Sequence, residues 1–311
     1  MGVQGRALAL PLLDWELAMN GAGPIELPAP VAPGAPLPWW AKMLAKIVLR
    51  RVVPHYRWRR RLGIGVHSFS ADTAGHPGAI AREVAWFREQ TGRGPRGLLE
   101  LGPGDSIANA IFARAQGIER IWLMDAGDFA SHDMAAYRRI AERAGVGGLD
   151  FSGREGLLAS LGATYLTGGV ASLAAIPDGV VDLSVSYTVL EHVRRGEFAA
   201  LMGALYRVTA PGGAGHHAVD LMDHLGGRLN NLRLGDWIWE RDWVAGSGFY
   251  TNRLGRDEIR AAAEAAGFAT GVRYVARWAE VPTARRVMAA RFRERPDEAL
   301  RVAMFGLDLR R

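Results

Sequence analysis

The chain has 311 residues, of which 49% are hydrophobic and 23% charged, a composition typical of a soluble globular protein with one large or two small domains. It has no cysteine, which excludes disulfides, thiolate metal sites and cysteine nucleophiles. The net charge of +6 would suit nucleic acid, an anionic membrane or a phosphorylated partner. The composition, rich in arginine, alanine and glycine, instead favours an arginine-rich bias of the whole proteome. No run of 18 apolar residues and no cleavable leader are recognisable, so we expect a cytoplasmic protein without a spanning helix.

The N-terminal part divides into a tail and a basic segment. Residues 1–38 are predicted to be a tail that ends in a Pro-rich arm, an extended linker or an ordered surface arm. Residues 39–77 are predicted to be a basic helical lead-in whose first helix ends or kinks at Pro54. One interpretation is peripheral contact with anionic lipid through residues 39–61, at the inner face of the membrane. The favoured alternative is a cap packed on the catalytic domain. Apolar residues recur there at helical spacing, at Met43, Leu44, Ile47 and Val48.

The remainder, residues 78–311, is predicted to be one domain in which apolar strands alternate with helices. This alternation is typical of an α/β fold, here a mostly parallel sheet of seven strands with helices on both faces. The predicted strands are Gly97–Leu101, Ile121–Asp125, Thr164–Leu166, Val181–Ser186, Gly215–Val219, 271–278 and 300–309. The predicted helices include 78–91, 107–115, 198–208, 256–266 and 283–294.

A glycine loop follows the first of these strands. Residues 100–104 read Glu-Leu-Gly-Pro-Gly and precede a predicted helix. Gly102 and Gly104 allow a sharp turn and a close approach to a ligand, and the helix N-terminus attracts a negative or polar group. Asp125 ends the next strand, where a carboxylate can accept both hydroxyls of a ribose. An aspartate that only caps a turn is the alternative, but the glycine loop beside it favours the ribose role.

Two further motifs complete an ordered set. Residues 176–193 run through a Pro-Asp-Gly turn and a buried strand into Leu-Glu-His-Val, and residues 205–213 read Leu-Tyr-Arg-Val-Thr-Ala-Pro-Gly-Gly. With the glycine loop and the acid after strand two, this set resembles the class I S-adenosylmethionine (SAM)-dependent methyltransferases, especially their small-molecule branch. The resemblance covers roughly residues 80–310 and implies a Rossmann-like fold with SAM as the cofactor.

The resemblance also implies a role for each matched residue. Glu100, Gly102 and Gly104 would surround the methionine part of SAM, and Tyr187 would border it. Asp125 would hold the ribose.

At the adenine end the chain departs from the pattern of many relatives. Gly169 and Val170 would lie beside the adenine, but the acid that often accepts a bond from its amino group is missing. Backbone atoms or Ser172 would have to replace it. Nicotinamide cofactors are the main rival for the loop, but their fingerprint needs a third glycine where this chain has Ile107.

Candidate catalytic groups lie where strand five ends. Methyl transfer to a hydroxyl needs in-line alignment and a base. We predict His217 or His224 as the base, with Asp220 as the carboxylate that orients it. A hydrogen-bonded strand end with turn-capping aspartates is an equal alternative. A divalent metal on Asp220, Asp223 and a histidine is the least favoured variant, so no metal site is predicted. We expect Glu191 to support the cofactor loop together with the adjacent histidine.

Residues 225–253 interrupt the α/β pattern and are predicted to be an acceptor lid. Their tryptophans, with nearby Asn and Arg, suit a sugar or a phosphorylated glycan, and an aromatic mini-core under a loop is the alternative. With the basic lead-in and His67-Ser68-Phe69, this segment is more weakly similar to methyltransferases of bacterial surface-polysaccharide loci.

The sequence therefore predicts a SAM-dependent enzyme that O-methylates a small molecule, a glycan or a lipid-linked sugar. A nucleic-acid (RNA) methyltransferase is an alternative suggested by the pI near 10. Residues 186–189, Ser-Tyr-Thr-Val, lack the Asn/Asp-Pro-Pro-aromatic motif of amino-directed base methylation, so a nucleic-acid partner is not expected. A non-catalytic SAM-binding scaffold that docks on membrane is the third interpretation. The sequence leaves the acceptor and the oligomeric state open.

Overall fold

The computed structural model describes residues 23–30, 37–52 and 77–311. The predictions for the first 22 residues, for part of the Pro-rich arm and for the basic residues after position 52 lie outside these ranges, as does the His67-Ser68-Phe69 motif.

Within these ranges, eight strands form a single sheet. Across the sheet their order is β1-β7-β8-β6-β5-β2-β3-β4, and neighbours are parallel except where β8 lies antiparallel between β6 and β7. The predicted mostly parallel α/β sheet is confirmed, although the predicted count of seven strands is one short. The strands are β1 (Ile25–Pro28), β2 (Gly97–Leu101), β3 (Arg120–Met124), β4 (Ala163–Leu166), β5 (Val181–Tyr187), β6 (Thr209–Asp220), β7 (Ala269–Arg277) and β8 (Val302–Arg310).

The additional strand, β1, comes from the Pro-rich arm. Its Ile-Glu-Leu-Pro sequence alternates in the period of a strand, and it pairs parallel with β7 at the edge of the sheet. Glu26 accepts from Arg277 at 2.9 Å, and Pro28 stands at the end of the strand, where its missing N–H costs no ladder bond. Four residues among many prolines give too little periodicity to predict a strand from sequence.

Helices cover both faces of the sheet, as predicted. One core lies under α2 to α5 and includes Val84, Phe87, Ile111, Ile140, Leu157 and Leu183. The other lies under α6 and α9 and includes Leu201, Leu205, Ile259, Ala263, Phe305 and Leu307. The helices are α1 (Trp39–Val52), α2 (Pro77–Thr91), α3 (Ala108–Ala115), α4 (Met134–Ala144), α5 (Arg154–Leu161), α6 (Phe198–Val208), α7 (Asp236–Trp239), α8 (Asp242–Ala245), α9 (Arg256–Ala265), α10 (Ala290–Arg293) and α11 (Asp297–Leu300). Within the described ranges, no helix is long and apolar enough to cross a membrane.

A small third core joins α1 to the insertion between β6 and α9. Trp239, Phe249 and Tyr250 of the insertion are buried together, and α1 packs on them with one apolar face. The contacting side chains of α1 are Trp39, Met43 and Ile47. The helix therefore packs as the predicted cap does, while its other face stays open to solvent.

Two predicted elements differ from the structure. The prediction of a helix at 283–294 is wrong, because the structure has a 3₁₀ turn at Arg285–Val287 and the short α10 there. The interruption has a clear cause, because the Ala289 amide donates to the Leu232 carbonyl of the insertion at 2.8 Å and Met288 is extended. Strand five, predicted at Gly215–Val219, is longer, because β8 pairs with it from Ala214 to Asp220 and β5 pairs with it as early as Thr209.

Candidate functional site

The candidate site lies at the point where the strand order changes direction. From β2 the chain builds outwards through β3 and β4 on one side, and through β5 and β6 on the other. The carboxyl ends of these parallel strands share one edge of the sheet. The helices that follow β2 and β5 pack on opposite faces of the sheet, and open α/β sheets bind their ligands in the crevice at such a point.

The glycine loop leaves β2 at this crevice. Gly102 has a φ of +67°, and a Cβ there would lie 2.4 Å from a methyl carbon of Val189 in the loop after β5, so only glycine fits. Gly104 has a φ of +63°, but a Cβ there would meet no atom within 4 Å. The backbone at Gly104 thus borders open space, as a loop that cradles a ligand requires.

Asp125 follows β3 and faces this loop. Its Oδ2 accepts from the Gly104 amide at 2.8 Å, and its Oδ1 accepts from the Ala126 amide at 2.7 Å. Burial raises the pKa of Asp125, while these two amide bonds oppose the rise. An ionised carboxylate has about four lone-pair sites, so Asp125 braces the loop and keeps capacity for further donors.

Glu100, the residue before the end of β2, has an incompletely satisfied carboxylate. Oε1 accepts from Asn109 Nδ2 at 2.6 Å, but the buried Oε2 has no hydrogen-bond partner in the described part of the chain. Burial raises the pKa of Glu100 to about 7, and the charge of Asp125 adds to the rise. Buried polar atoms are nearly always hydrogen-bonded, so an unsatisfied oxygen beside an open loop indicates a missing donor. Tyr187, the last residue of β5, lies near enough for the charge of Glu100 to help burial raise its pKa.

The residues predicted at the adenine end lie in the turn that follows β4. Gly169, with a φ of +60°, begins a 3₁₀ turn (Gly169–Ala175), and its amide donates to the Asp125 carbonyl at 2.8 Å. Val170 packs on the core beneath α6. The Ser172 hydroxyl donates to the Gly169 carbonyl at 2.6 Å, so its oxygen still has lone pairs for another donor.

The third-glycine position has a packing role. Ile107 is fully buried under α3, and its amide donates to the Tyr137 hydroxyl at 3.1 Å. A glycine there would leave a cavity in the core, so the departure from the nicotinamide fingerprint is built into the packing.

The prediction of His217 as a base is wrong in this structure. His217 lies inside β6, fully buried, and hydrogen-bonds to Ser186 Oγ at 2.8 Å and Ser184 Oγ at 3.3 Å on β5. Burial lowers its pKa to about 3, and the neighbouring His216 adds to the fall. A base must reach the proton that it takes, and this imidazole is enclosed between two strands.

The metal variant on Asp220, Asp223 and a histidine is also wrong. The Asp223 carboxylate caps the turn that follows β6, accepting from the amides of Leu225 at 2.8 Å, Gly226 at 2.6 Å and Asn230 at 2.6 Å. A carboxylate with these bonds has little left for a cation. Asp220, the last residue of β6, accepts from the Met222 amide at 2.8 Å, and burial raises its pKa to about 7.

The structure instead brings His192 and His224 together. Their Nε2 atoms lie 3.1 Å apart, and their ring centroids 4.8 Å. The other ring nitrogen of His192, Nδ1, lies 2.8 Å from the Tyr250 carbonyl, which can only accept. Nδ1 therefore carries the proton, and a neutral His192 presents a lone pair at Nε2 towards His224.

Residues far away in sequence hold this histidine pair. Asn252 donates from its amide to the Glu191 carbonyl at 2.7 Å, and its side chain donates to the carbonyls on either side of the Glu-His turn. Lys46 of α1 donates to the His224 carbonyl at 3.3 Å. Burial lowers the pKa of Lys46 to about 8. Sequence reasoning gave the Glu-His turn a supporting role but missed Asn252, Tyr250 and Lys46, because nothing local marks them.

Thr188 adds strain where β5 ends. Its φ is +57°, which is rare for a β-branched residue, and its amide donates to the Ala218 carbonyl at 2.8 Å. Such backbone persists where the surroundings fix it and is concentrated at functional sites. The strained residue lies between Tyr187 and the Val189 side chain that approaches the glycine loop.

No protein-family model and no curated protein matches the chain. Solved structures do match. One is a SAM-dependent methyltransferase from Mesorhizobium loti, with 19% identity over 78% of this chain and 100% of that one, at a TM-score of 0.42. A second is 1,6-didemethyltoxoflavin-N1-methyltransferase from Burkholderia thailandensis, with 15% identity over 91% and 93% and a TM-score of 0.43. A third is an O-methyltransferase family protein from the same organism, with 14% identity over 88% and 68% and a TM-score of 0.47. At such low identities and TM-scores, the function has to be argued from the site itself.

Proposed function

We propose that the protein is a SAM-dependent methyltransferase that transfers the methyl group to a hydroxyl of a small molecule. The observation that carries this proposal is the pairing of the open Gly104 backbone with Asp125 across the crevice, at 2.8 Å, where the strand order changes direction. This arrangement is suited to a nucleoside-containing ligand whose ribose meets the carboxylate.

The residues present fit SAM along its length. The unsatisfied Oε2 of Glu100 suits the ammonium group of the methionine part, and Asp125 suits the ribose hydroxyls. Gly169 and Val170 would flank the adenine, with the Ser172 oxygen or a backbone carbonyl as acceptor. SAM, when bound, supplies an electrophilic methyl group.

On the acceptor side, the groups that activate a hydroxyl would be His224, paired with His192, and Asp220 beside them. We propose residues 225–253 as the acceptor lid. Trp237 and Trp243 are exposed and suit the face of a sugar ring, which favours a glycan or lipid-linked sugar. The buried aromatic residues of the same segment form the mini-core instead.

We also propose that the protein works in the cytoplasm and touches the inner membrane face through residues 39–61. The support is a set of exposed apolar side chains on α1, spaced four residues apart, with the basic Arg51 beside them. Arginines continue beyond the helix in the sequence, which suits an anionic lipid surface. These exposed side chains are Trp40, Leu44, Val48 and Val52.

Calorimetry with SAM and with its demethylated product tests the cofactor assignment. Asp125→Ala should weaken both affinities at least tenfold, because a ribose would lose two hydrogen bonds to a charged acceptor. The control Asp178→Ala alters an exposed aspartate paired with Arg207 and should bind normally. Unchanged affinity in Asp125→Ala would refute the ribose role.

A labelled-methyl transfer screen then separates the substrate classes. Transfer to sugars or lipid-linked sugars is the expected result. Transfer to RNA alone would establish the nucleic-acid alternative, and tight binding without transfer to any acceptor would favour the scaffold.

A further inference from the structure

We propose that Glu191, His192 and His224 form a binding site for a divalent transition-metal ion such as Zn²⁺, Mn²⁺ or Co²⁺. One ligand atom from each side chain can be chosen so that all three lie within 4.8 Å of one another. The role given below to the ion in methyl transfer rests on the proposed function, whereas its binding does not.

The two imidazoles already stand at the separation that a shared metal requires. A metal holds imidazole nitrogens at about 2.0–2.1 Å, so two of them in tetrahedral or octahedral positions lie roughly 2.9–3.4 Å apart. The two Nε2 atoms are 3.1 Å apart. To join them, the Glu191 oxygen would have to approach by at most roughly 1.5 Å, which a side-chain rotation can supply.

Glu191 gives the second, independent indication of a ligand. The residue is 1% exposed, and neither of its carboxylate oxygens has a hydrogen-bond partner among the residues described. A buried carboxylate needs a donor or a cation, and no described side chain provides one.

The ring orientation of His192 is also that of a metal ligand. Metal-bound histidines commonly donate their second ring N–H to a backbone carbonyl, which fixes the tautomer and aims the other nitrogen at the metal. The Tyr250 carbonyl serves this purpose at 2.8 Å from Nδ1. The Asn252 side chain holds the backbone of the same turn at two carbonyls.

The donor set selects the class of ion. Two imidazoles with one carboxylate suit first-row transition metals, whereas Mg²⁺ and Ca²⁺ prefer oxygen ligands throughout. Three protein ligands leave at least one position open. An acceptor hydroxyl bound there would release its proton to water more easily. The alkoxide oxygen would then form the bond to the methyl carbon as the bond from that carbon to the sulfonium sulfur breaks, and the demethylated cofactor would leave. The ion would thus replace a protein base.

Co²⁺ is the probe for the test, because its visible spectrum reports its ligands directly. The full-length protein, treated with a chelator and dialysed, is titrated with Co²⁺. The wild type should show one saturable site per chain. His224→Ala and Glu191→Gln should each weaken Co²⁺ binding at least tenfold, and the control His132→Ala, an exposed histidine elsewhere, should not.

Absence of a saturable Co²⁺ spectrum in the wild type would overturn the proposal, as would spectra and affinities unchanged in both cluster variants. Should His224→Ala fail to fold, Glu191→Gln and His192→Gln decide by the same measurement. Calorimetry with the demethylated cofactor runs in parallel. Cofactor binding without Co²⁺ binding refutes only the metal site, and Co²⁺ binding without cofactor binding refutes only the methyltransferase.

Discussion

Two clusters of buried charge lie on or beside β6, and they are satisfied in different ways. In the paired network, made of Glu83, Arg273, Asp308 and His216, Arg273 donates to both carboxylates at 2.9 Å and His216 donates to Asp308 at 2.7 Å. The Arg273 guanidinium also lies 4.4 Å from the centre of the Trp86 ring.

The open cluster, made of Glu191, His192, Asp220 and His224, has no arginine or lysine bonded to its carboxylates among the described residues. Burial and the charge of Asp220 raise the pKa of Glu191, and burial and the charge of Asp223 raise the pKa of Asp220 to about 7. No described side chain donates a hydrogen bond to the Glu191 carboxylate. The comparison shows that the fold supplies a cationic partner for the buried carboxylates of the paired network, whose role is structural. Charge left unpaired at the carboxyl edge of the sheet is therefore best understood as half of a site that a ligand completes.

Breaking the paired network should have the largest effect. Arg273→Met leaves two buried carboxylates without their cation, and we expect a loss of about 3–5 kcal/mol in the free energy of unfolding. Urea denaturation measures it. The exposed Arg96, paired with Glu119, is the matched control, and its alanine variant should unfold like the wild type. Equal stability of Arg273→Met and the wild type would contradict a structural role for the network.

A third buried group, His217, separates burial from pairing. Its pKa is about 3 in the folded state, below that of an unfolded histidine, so the folded chain binds fewer protons between these values. Its contribution to stability is therefore complete above about pH 6.5 and is lost as the pH falls towards 3. The loss is on the order of a few kcal/mol. In His217→Gln, denaturation curves across this range should depend less on pH; an identical dependence would show that His217 titrates normally.

One carboxylate from each cluster can be compared directly. Asp308→Asn should cost roughly 1.5–3 kcal/mol, because it weakens the hydrogen bonds from Arg273 and His216. Glu191→Gln, which removes an unpaired charge, should change stability by less than about 1 kcal/mol. Thermal unfolding with and without Zn²⁺ adds the sharper contrast, since only chains with Glu191 should gain stability from the metal. If both variants lose the same amount of stability, the two clusters do not differ in the proposed way.

The smallest effect on stability is expected outside both clusters, at α1. Trp40 is exposed whereas Trp39 packs on the small core, so the two neighbours form a matched pair. Trp40→Ser should keep the stability within about 0.5 kcal/mol but weaken binding to anionic vesicles in a flotation assay. Trp39→Ser should lower the stability, because it loosens the packing of α1, but should leave vesicle binding unchanged. Failure of the wild-type protein to bind such vesicles would contradict the membrane proposal.

The parts of the fold that sequence predicts well are those whose signals are local. The strand before the glycine loop is found at its observed bounds, because continuous apolar residues, Gly102 and a following helix lie within a dozen positions. The helix predicted at 283–294 fails because a single backbone bond from Ala289 to Leu232 interrupts it, and no local pattern records that partner.

The candidate site divides along the same line. The proposed roles of Gly102 and Asp125 are predicted from motif spacing, and the geometry of each residue is compatible with its proposed role. The pairing of His192 with His224 could not be predicted, since it depends on the Tyr250 carbonyl and on how the insertion folds back. Likewise, alternation on the strand places His217 on one face but does not reveal that the serines of β5 enclose it.

The edge strand β1 has a consequence for the order of assembly on the ribosome. Glu26 and its partner Arg277 are 251 positions apart, so almost the whole domain is synthesised between β1 and β7. At 5–20 residues per second, the wait is roughly 12 to 50 seconds. During that time β1 has no strand to join, and the early part of the domain must collapse without it. This early strand is thus among the last to be fastened, and it closes the sheet from the far edge.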